Sequence, residues 1–409
     1  MRLTILFDHR YVRLPDGRVG SKTHYNYDLF AGRYLHAFDQ VDVITRTPEP
    51  AGTRVSLGPG VDLVSVGTWE GTFDFLRKAS KLKRFVRREL KQAEVALLIV
   101  PSFLSILAGK KLRRLKLPYG VEVVGDPDGV FSREGSSHPL RSLLRVVFKR
   151  ELTKLCATAA TGAYVTRDAL QAKYPVADGC FSTHYSSIQL DEAAIAAQPR
   201  TFAATDAPRR LVCVAAMLHR FKGQHLLLKA IAKCRDRGRP LRLELVGDGP
   251  LRGDLERQCA ELGLSDLVTF HGRAAAGAEV RERLDAADIA VLFSLTEGLP
   301  RVVIESMARG LPCVASEVGG VPELLPPEFR VPASDVDALA DRLFTLAGDP
   351  AAMTAAAAAN LVHVDDYRAD RLMERRHAHY AALREAATAS VPFAPPSNIA
   401  PSIERRKAS

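Results

Sequence analysis

The sequence predicts an α/β protein in which two doubly wound domains of similar size face a cleft. Three observations support this prediction. The 409 residues suit two or three domains, strand-like apolar runs alternate with longer amphipathic segments, and the alternation restarts after an irregular polar stretch at Gln189–Asp206. Alternating strands and helices form parallel sheets covered by helices. We therefore expect a first domain over residues 1–195 and a second over residues 205–365.

The elements of the first half are predicted from two patterns. Short apolar runs bounded by Gly, Pro or Asp indicate strands, and longer segments with one apolar face indicate helices. In chain order these are strand Leu3–Phe7, helix Thr23–Phe38, strand Val41–Thr45, a basic helix near residues 77–91, strands Val95–Val100 and Val121–Val124, helix Pro139–Ala160 and strand Ala163–Val165.

The second half repeats the same alternation. Its predicted elements are strand Arg210–Ala215, helix Gln224–Arg235, strand Leu241–Val246, helix Leu251–Leu262, strand Val268–His271, helix Glu279–Ala286, strand Ile289–Phe293, helix Val303–Arg309, strand Cys313–Ala315, helix Val336–Ala347 and an Ala-rich helix near Ala355–Ala359. A last helix, residues 366–388, is expected to return to the first domain. The Pro-rich tail, residues 389–409, is expected to be disordered.

The composition is that of an ordinary globular protein, with 47% hydrophobic and 25% charged residues. The apolar runs are far shorter than the ~20 residues of a membrane-spanning helix, and Leu3–Phe7 is too short for a signal-peptide core. We therefore expect a cytoplasmic protein. The six cysteines show neither paired zinc spacing nor a compact disulfide framework.

The net charge of +10 is carried by the first half of the chain. Residues 1–200 hold 30 Lys and Arg against 20 Asp and Glu, whereas the remainder holds 27 of each. Basic residues cluster at residues 77–91 and 110–116, and the first cluster has an apolar face. Two interpretations remain open: a helix lying on the inner face of an anionic plasma membrane, or a core helix with a solvated basic back. Nucleic acid is not favoured, because no aromatic-interleaved binding motif accompanies the charge.

The segment Ser294–Ser316 carries most of the recognisable chemistry. A buried strand ends at Ser294, a loop bears Glu297, and a helix that begins near Arg301 bears Glu305. Free amides at the start of a helix suit a diphosphate, and two carboxylates accept hydrogen bonds from several hydroxyls. The segment therefore predicts binding of a phosphorylated polyol.

This segment, followed by Gly319-Gly320-Val321-Pro322-Glu323, resembles the signature of the retaining family 4 glycosyltransferases. The resemblance implies the GT-B fold, two Rossmann-like domains facing a cleft. It extends through the second half by Phe221-Lys222-Gly223-Gln224-His225, Val246-Gly247-Asp248-Gly249-Pro250 and Phe270-His271-Gly272, and in the first half Asp16-Gly17-Arg18-Val19, Tyr34-Leu35 and Gly125-Asp126-Pro127 are similar to bacterial transferases of surface-polysaccharide assembly.

The resemblance also implies roles for individual residues. Glu297 would contact the transferred sugar, Glu305 the ribose hydroxyls and Lys222 the donor phosphates. The loop residues Asp248 and Gly249 would lie next to the nucleotide. The backbone of five consecutive residues would support the sugar and the diphosphate: Gly298, Leu299, Pro300, Arg301 and Val302.

The sequence departs from the family pattern in two places. The usual Gly-Arg pair before the lysine is replaced by Ala216-Met217, so Arg220 is the expected substitute cation. The usual His of the first domain is replaced by Gly125, so Asp126 is expected to orient the sugar or acceptor. Two alternatives remain for Asp126: it caps a helix, or it forms a metal site together with Asp128. Gly20 is expected to let the backbone approach the donor or acceptor, since no phosphate-cradling P-loop pattern surrounds it.

The sequence thus predicts a glycosyltransferase that moves a sugar from a nucleotide-diphosphate sugar to a lipid-linked or oligosaccharide acceptor, with retention and without a metal or other cofactor. Its partners would be the nucleotide sugar, the glycan acceptor and an anionic membrane surface. Two alternatives remain: a nucleotide-sugar epimerase of the same fold, and a non-catalytic nucleotide-binding subunit. A nicotinamide oxidoreductase is disfavoured, because no strand is followed by Gly-x-Gly-x-x-Gly.

Overall fold

The computed structural model describes residues 1–21, 25–132 and 138–389. Two separate parallel sheets with helices on their faces confirm the predicted α/β class and the two Rossmann-like domains. The predicted tail lies outside the described residues from residue 390 onward.

The first sheet has eight strands in the order β10-β9-β8-β7-β1-β4-β6-β5. All neighbours are parallel except β5 and β6. A two-stranded hairpin, β2 and β3, stands beside it. The ten strands are β1 (Arg2–Arg10), β2 (Val12–Arg13), β3 (Val19–Gly20), β4 (Gln40–Arg46), β5 (Arg54–Gly58), β6 (Val61–Ser65), β7 (Val95–Val100), β8 (Tyr119–Val123), β9 (Thr161–Tyr164) and β10 (Phe181–His184).

Within the described part of the first half of the chain, six helices accompany the first sheet, and the C-terminal helix of the chain, described below, packs on the same sheet. The six helices are α1 (Tyr27–Tyr34), α2 (Gly71–Glu89), α3 (Phe103–Leu115), α4 (Pro127–Val130), α5 (Arg141–Ala157) and α6 (Ala169–Lys173). The first helix begins later than predicted, because the Asn26 side chain caps it by accepting from the Leu29 amide at 3.1 Å. It also ends earlier, at Tyr34, with Leu35 as its C-cap. Helix α3 was not predicted, since its sequence was interpreted only as a basic cluster.

The second sheet has six parallel strands in the order β13-β12-β11-β14-β15-β16. The strands are β11 (Arg210–Val214), β12 (Arg242–Val246), β13 (Val268–Gly272), β14 (Ile289–Leu292), β15 (Cys313–Ser316) and β16 (Arg330–Val331). The helices are α7 (Gln224–Asp236), α8 (Arg252–Glu261), α9 (Ala278–Ala286), α10 (Arg301–Ala308), α11 (Val321–Leu324), α12 (Val336–Ala347), α13 (Pro350–His363) and α14 (Ala369–Thr388).

The last helix, α14, packs on the first sheet, which confirms the predicted return. Tyr380 and Leu383 are buried in a core cluster whose other members belong to the first domain. The Tyr380 hydroxyl donates to the buried Glu122 carboxylate on β8 at 2.9 Å. His379 contacts the Thr161 hydroxyl on β9 at 2.9 Å. The C-terminal helix therefore completes the core of the N-terminal domain.

The basic helix α2 is a core helix. Phe75, Leu82 and Val86 on its apolar face are buried in the first-domain core, and Leu90 just beyond its end is buried with them. An apolar face that packs in the protein cannot enter a lipid layer, so the membrane interpretation of this face is wrong. No helix in the part of the chain that the structure describes is long and apolar enough to cross a bilayer.

Candidate active site

A cleft of about 900 Å³ lies between the two domains, at the carboxyl ends of their strands. Among the residues that the structure describes, the first domain lines the cleft with apolar and small polar residues, and the second domain supplies the charged ones. The first-domain residues are Phe7, Tyr25, Ile99, Val124, Val165, Ser186 and Ser187. The charged residues, all on the second domain, are Lys222, Asp248, Arg273, Glu297, Arg301 and Glu305. Open α/β sheets bind their ligands at this edge.

Lys222 and Glu297 meet in the cleft as an ion pair. The Lys222 ammonium donates to Glu297 Oε1 at 2.6 Å. Lys222 follows β11 and Glu297 follows β14, and these two strands are neighbours in the sheet. The Leu295 amide donates to the Phe221 carbonyl at 2.7 Å, which joins the two loops. Sheet order therefore brings together two residues that are 75 positions apart.

Gly319 packs closely against the backbone of the loop that carries Glu297. Its φ of +54° is in the left-handed region, and an added Cβ would lie 2.1 Å from the Glu297 carbonyl oxygen. The next amide, Gly320 N–H, donates to the Gly298 carbonyl at 2.6 Å. The Gly-Gly pair of the sequence motif thus positions the loop that carries the carboxylate.

We expect Gly319→Ala to destabilise the protein by about 2–4 kcal/mol, because it adds a backbone clash to an unfavourable φ. It should also weaken nucleotide binding, since the clash displaces the Glu297 loop. Chemical denaturation and calorimetric titration measure both effects. The matched control is Gly253→Ala in α8, where nothing lies within 4 Å of the added Cβ and the mutation should stabilise slightly. Equal stability of the two variants would contradict this account.

Helix α10 directs its first turn at the cleft. It begins after Pro300 without a side-chain cap, and the Val303 amide donates to the Pro300 carbonyl at 3.1 Å. The amides of Arg301 and Val302, at the first two positions of the helix, are therefore the ones suited to binding an anion. Pro300, Arg301 and Val302 all line the cleft. Glu305 lies one turn further on; burial raises the pKa of its carboxyl above the ordinary value, and the positive charge of Arg301 opposes this rise. A partly desolvated carboxylate of this kind gains from hydroxyl donors on a ligand.

Of the described residues, three cations face the cleft: Lys222, Arg273 and Arg301. Lys222 was predicted from the sequence, but Arg301 was expected to contribute only its backbone, and Arg273 was not singled out. Arg273 directly follows the Phe270-His271-Gly272 motif, and this position in the sequence could have identified it as a candidate site residue. Arg220 is exposed and does not line the cleft. Arg273 and Arg301 are the arginines that line the cleft among the residues that the structure describes, and the role expected of Arg220 stays a prediction.

The predicted donor residues of the second domain converge, apart from Arg220. The cleft is lined by Lys222, Glu297, Glu305, the whole run from Gly298 to Val302, and the loop pair Asp248 and Gly249. Met217, which stands in place of the usual arginine, is buried in the second-domain core instead of facing the cleft. Its backbone amide donates to the Asp248 carbonyl at 3.0 Å and so helps to hold that loop.

The structure gives Asp126 a structural role. Its side chain caps α4 by accepting from the Asp128 amide at 2.9 Å, and it also accepts from the Tyr174 hydroxyl at 2.7 Å. The Lys173 ammonium bridges Asp126 and Asp128. Asp126 does not line the cleft. These contacts favour the capping alternative, and a role for Asp126 in orienting the sugar stays a prediction.

The structure also places Gly20 and the two aspartates of the possible metal site. Gly20 lies in β3, packed against Leu14, and is not among the residues that line the cleft. Lys173 supplies the positive charge that a metal would bring to the two aspartates. Within residues 1–21, 25–132 and 138–389, no group of three or more His, Cys, Asp or Glu side chains is arranged to hold a metal ion.

The chain is similar to known proteins in both sequence and fold. Residues 208–349 match the family model described as "Glycosyl transferases group 1". "Protein CapJ" of Staphylococcus aureus is 24% identical over 308 residues, which cover 74% of this chain and 76% of CapJ. The "Putative colanic acid biosynthesis glycosyltransferase WcaL" of Escherichia coli is 32% identical over 154 residues, which cover 36% of this chain and 37% of that relative.

Solved structures share the overall architecture. Sucrose-phosphate synthase from Thermosynechococcus elongatus superposes with a TM-score of 0.68 at 18% identity, covering 93% of this chain and 98% of the other. The HepE protein of Anabaena, in complex with UDP and glucose, superposes with a TM-score of 0.63 at 16% identity, covering 92% and 98%. At these identities the likeness shows a common two-domain fold.

Proposed function

We propose that this chain is a glycosyltransferase of capsule or exopolysaccharide biosynthesis that uses a nucleoside-diphosphate sugar. The match of residues 208–349 to the glycosyl transferases group 1 family model and the GT-B fold of the chain support this proposal. The sugar is transferred with retention to a hydroxyl of a glycan or lipid-linked acceptor, with no metal or other cofactor. Relatives named for colanic acid and amylovoran biosynthesis support the polysaccharide context.

The observation that carries the proposal is the grouping of charges around the start of α10. Lys222, Arg273 and Arg301 supply three positive charges, and the uncapped amides of α10 add donors on the same side of the cleft. Glu297 and Glu305 supply acceptors for sugar and ribose hydroxyls. A diphosphate flanked by two polyols fits this distribution of donors and acceptors.

The departing diphosphate needs most of the stabilisation during transfer. Preorganised cations and amides aimed at a developing charge are usually the largest contribution to rate. Lys222 already lies beside Glu297, so the phosphate and the reacting sugar would be held by adjacent groups. Binding of a diphosphate would give the Lys222 ammonium a second anionic partner at the point where charge develops.

Retention is supported by the acceptor side of the cleft. None of the described first-domain residues that line it carries a carboxylate or an imidazole. An inverting transferase needs a base there to take the acceptor proton. Since none of these described residues can act as that base, the proposed route passes the proton from the acceptor hydroxyl to the leaving diphosphate, and the new bond forms on the face that the diphosphate leaves.

The experiment that tests the function is a thermal-unfolding screen against nucleoside diphosphates and their sugars, followed by transfer assays with the best donor. A ligand at ~100 times its dissociation constant stabilises the folded state by ~2.7 kcal/mol. NMR of the product then gives the anomeric configuration, which we expect to match that of the donor. Inversion, or stabilisation by no nucleotide, would contradict the proposal.

We expect transfer to survive removal of divalent cations. Three side-chain cations and the α10 amides meet the diphosphate charge, so a metal is not needed for that task. Rates measured in excess EDTA should stay within about twofold of rates with added Mg²⁺, since a twofold change is well under 1 kcal/mol. Loss of activity that added metal restores would show that a bound cation takes part.

A further inference from the structure

We propose that Glu323 of the second domain is a positioning residue that holds the first domain in the orientation in which the two sides of the cleft face each other. Glu323 ends the motif Gly319-Gly320-Val321-Pro322-Glu323 and is not among the described residues that line the cleft. It acts on the first domain through the backbone of residues 167–169. This inference rests on the proposed function, because it concerns how the acceptor side of the cleft meets the donor side.

The Glu323 carboxylate crosses the domain boundary and accepts hydrogen bonds from three successive first-domain amides. Its Oε1 accepts from the Asp168 amide at 3.1 Å and from the Ala169 amide at 2.8 Å. Its Oε2 accepts from the Arg167 amide. Hydrogen bonds from amides to an ionised carboxylate are shorter and stronger than those between neutral groups. Both oxygens of this one side chain therefore join the two domains.

The first domain leaves these three amides to the second. They lie at the start of the short helix α6, where Asp168 occupies the N-cap position but, among the described residues, forms no side-chain cap bond. The Thr166 hydroxyl accepts from the next amide, that of Leu170, at 2.9 Å. Amides at the start of a helix need an acceptor from outside the helix. Because Glu323 supplies it, the contact is lost when the domains separate, and its free energy stabilises their orientation.

An ion pair fixes the same segment from its other side. The Arg167 guanidinium pairs with Asp366, which lies between α13 and α14 where the chain returns to the first domain. Arg375 of α14 donates to the same carboxylate at 2.8 Å. Burial opposes ionisation of Asp366, but Arg375 and Arg167 outweigh it and hold the pKa of this carboxyl below its ordinary value. The segment that Glu323 contacts is therefore also anchored by its own side chain.

A short stretch of backbone links Glu323 to the loop that carries Glu297. The Gly320 amide donates to the Gly298 carbonyl at 2.6 Å, and the Glu323 amide donates to the Gly320 carbonyl at 3.1 Å. Two backbone hydrogen bonds therefore connect the Glu297 loop to the carboxylate that contacts the first domain. A donor that shifts this loop would move Glu323 with it.

The segment that Glu323 contacts also supports the first-domain side of the cleft. Val165, at the start of this segment, lines the cleft. Lys173, at its end, pairs with Asp126 in the loop after β8, and Val124 at the beginning of that loop also lines the cleft. Loss of the Glu323 contact would therefore let the acceptor side of the cleft move away, while the donor residues of the second domain stay in place.

The test compares Glu323→Ala and Glu323→Gln with Glu328→Ala, all in the full chain. Glu328 is an exposed glutamate of the same domain, five residues further along, and its variant is the matched control. Small-angle X-ray scattering, with and without UDP or GDP, measures how far apart the domains lie. Initial rates measure turnover, calorimetric titration measures affinity for the same nucleoside diphosphate, and circular dichroism confirms that each variant folds.

We expect Glu323→Ala to increase the radius of gyration and to lower kcat about tenfold to a hundredfold, the range of one hydrogen bond to a charged group, because only the competent orientation turns over. Affinity for the nucleoside diphosphate should stay within about threefold, since the charged groups proposed to bind it lie on the second domain. Glu323→Gln should lose less, because its amide oxygen still accepts hydrogen bonds. Glu328→Ala should match the wild type.

An unchanged kcat or an unchanged radius of gyration in Glu323→Ala would overturn the proposal, and so would an equal loss in the Glu328→Ala control. A fall in nucleotide affinity as large as the fall in kcat would assign Glu323 to the donor site instead. If Glu323→Ala does not fold, Glu323→Gln decides by the same criteria. Scattering does not depend on activity, so it decides the proposal even if the wild type transfers no sugar, an outcome that would refute only the proposed function.

Discussion

Lys222→Ala is expected to lower kcat/KM for sugar transfer by about 10²–10³, the usual effect of removing one preorganised group from a developing negative charge. The Lys222 ammonium lies 2.6 Å from Glu297 and lines the cleft beside the α10 amides. The mutation removes a cation of the cleft and leaves Glu297, the residue assigned to the reacting sugar, without its ion-pair partner. Steady-state kinetics with a saturating acceptor measure the effect.

The control for this prediction is Lys229→Ala. Lys229 is exposed on α7, seven residues further along the chain, and does not line the cleft. It should change the rate by less than about twofold, since an exposed charge away from the site contributes little. If both variants kept wild-type kinetics, Lys222 would have no part in stabilising the diphosphate.

Replacement of Glu297 and replacement of Glu305 should have different effects on turnover and on nucleotide affinity. Glu297→Ala is expected to lower kcat about a hundredfold while the affinity for nucleoside diphosphate stays within a few-fold, because Glu297 is assigned to the sugar that reacts. Glu305→Ala should instead raise the dissociation constant of the nucleoside diphosphate by about 10–100-fold, the value of one or two hydrogen bonds to a charged group. Calorimetric titration and initial rates distinguish the two losses.

The conservative variants sharpen this test. Glu305→Gln keeps the size of the side chain but removes the carboxylate whose pKa burial raises. It should lose most of the affinity that Glu305→Ala loses, because a neutral amide accepts weaker hydrogen bonds than a carboxylate. A reversed pattern, in which Glu297 variants lose nucleotide affinity and Glu305 variants lose only turnover, would exchange the two assignments.

The second domain was predictable because its signals are local. Each of Lys222, Glu297 and Glu305 lies in a short strand–loop–helix segment whose pattern is complete within about twenty residues. Parallel sheets then bring the loops together at one edge, so the sequence could predict the site without knowing the strand order. The ion pair between Lys222 and Glu297 follows from that edge.

The first-domain side of the cleft could not be predicted in the same way. Phe7, Tyr25 and Ile99 come from separate segments and carry no motif, so only the strand order places them together. Asp126, in contrast, lies in a recognisable sequence pattern, but that pattern has two structural meanings. An aspartate before a proline has the same sequence pattern whether it caps a helix or faces a substrate, and only the Tyr174 and Lys173 contacts decide.

The amphipathic pattern of a helix was also ambiguous, because it did not show whether the apolar face is buried or exposed. Helix α2 has a strong apolar face that the core buries, whereas the start of α5 has apolar residues on two faces, of which one is buried and one exposed. Periodicity measures how apolar residues are arranged around a helix, but it does not say what covers them. The covering is a property of the tertiary structure.

The return of α14 to the first sheet sets an order for folding during synthesis. The ribosome makes the strands of the first domain by residue 184, but Tyr380 and Leu383 are added about 200 residues later. At translation rates of about 5–20 residues per second, this interval lasts about 10–40 s. During that time Glu122 lacks the Tyr380 hydroxyl and the apolar groove for α14 is uncovered. The domain that is synthesised first is therefore finished last, after the second domain has left the ribosome, and the nascent chain must be protected from aggregation until its final helix arrives.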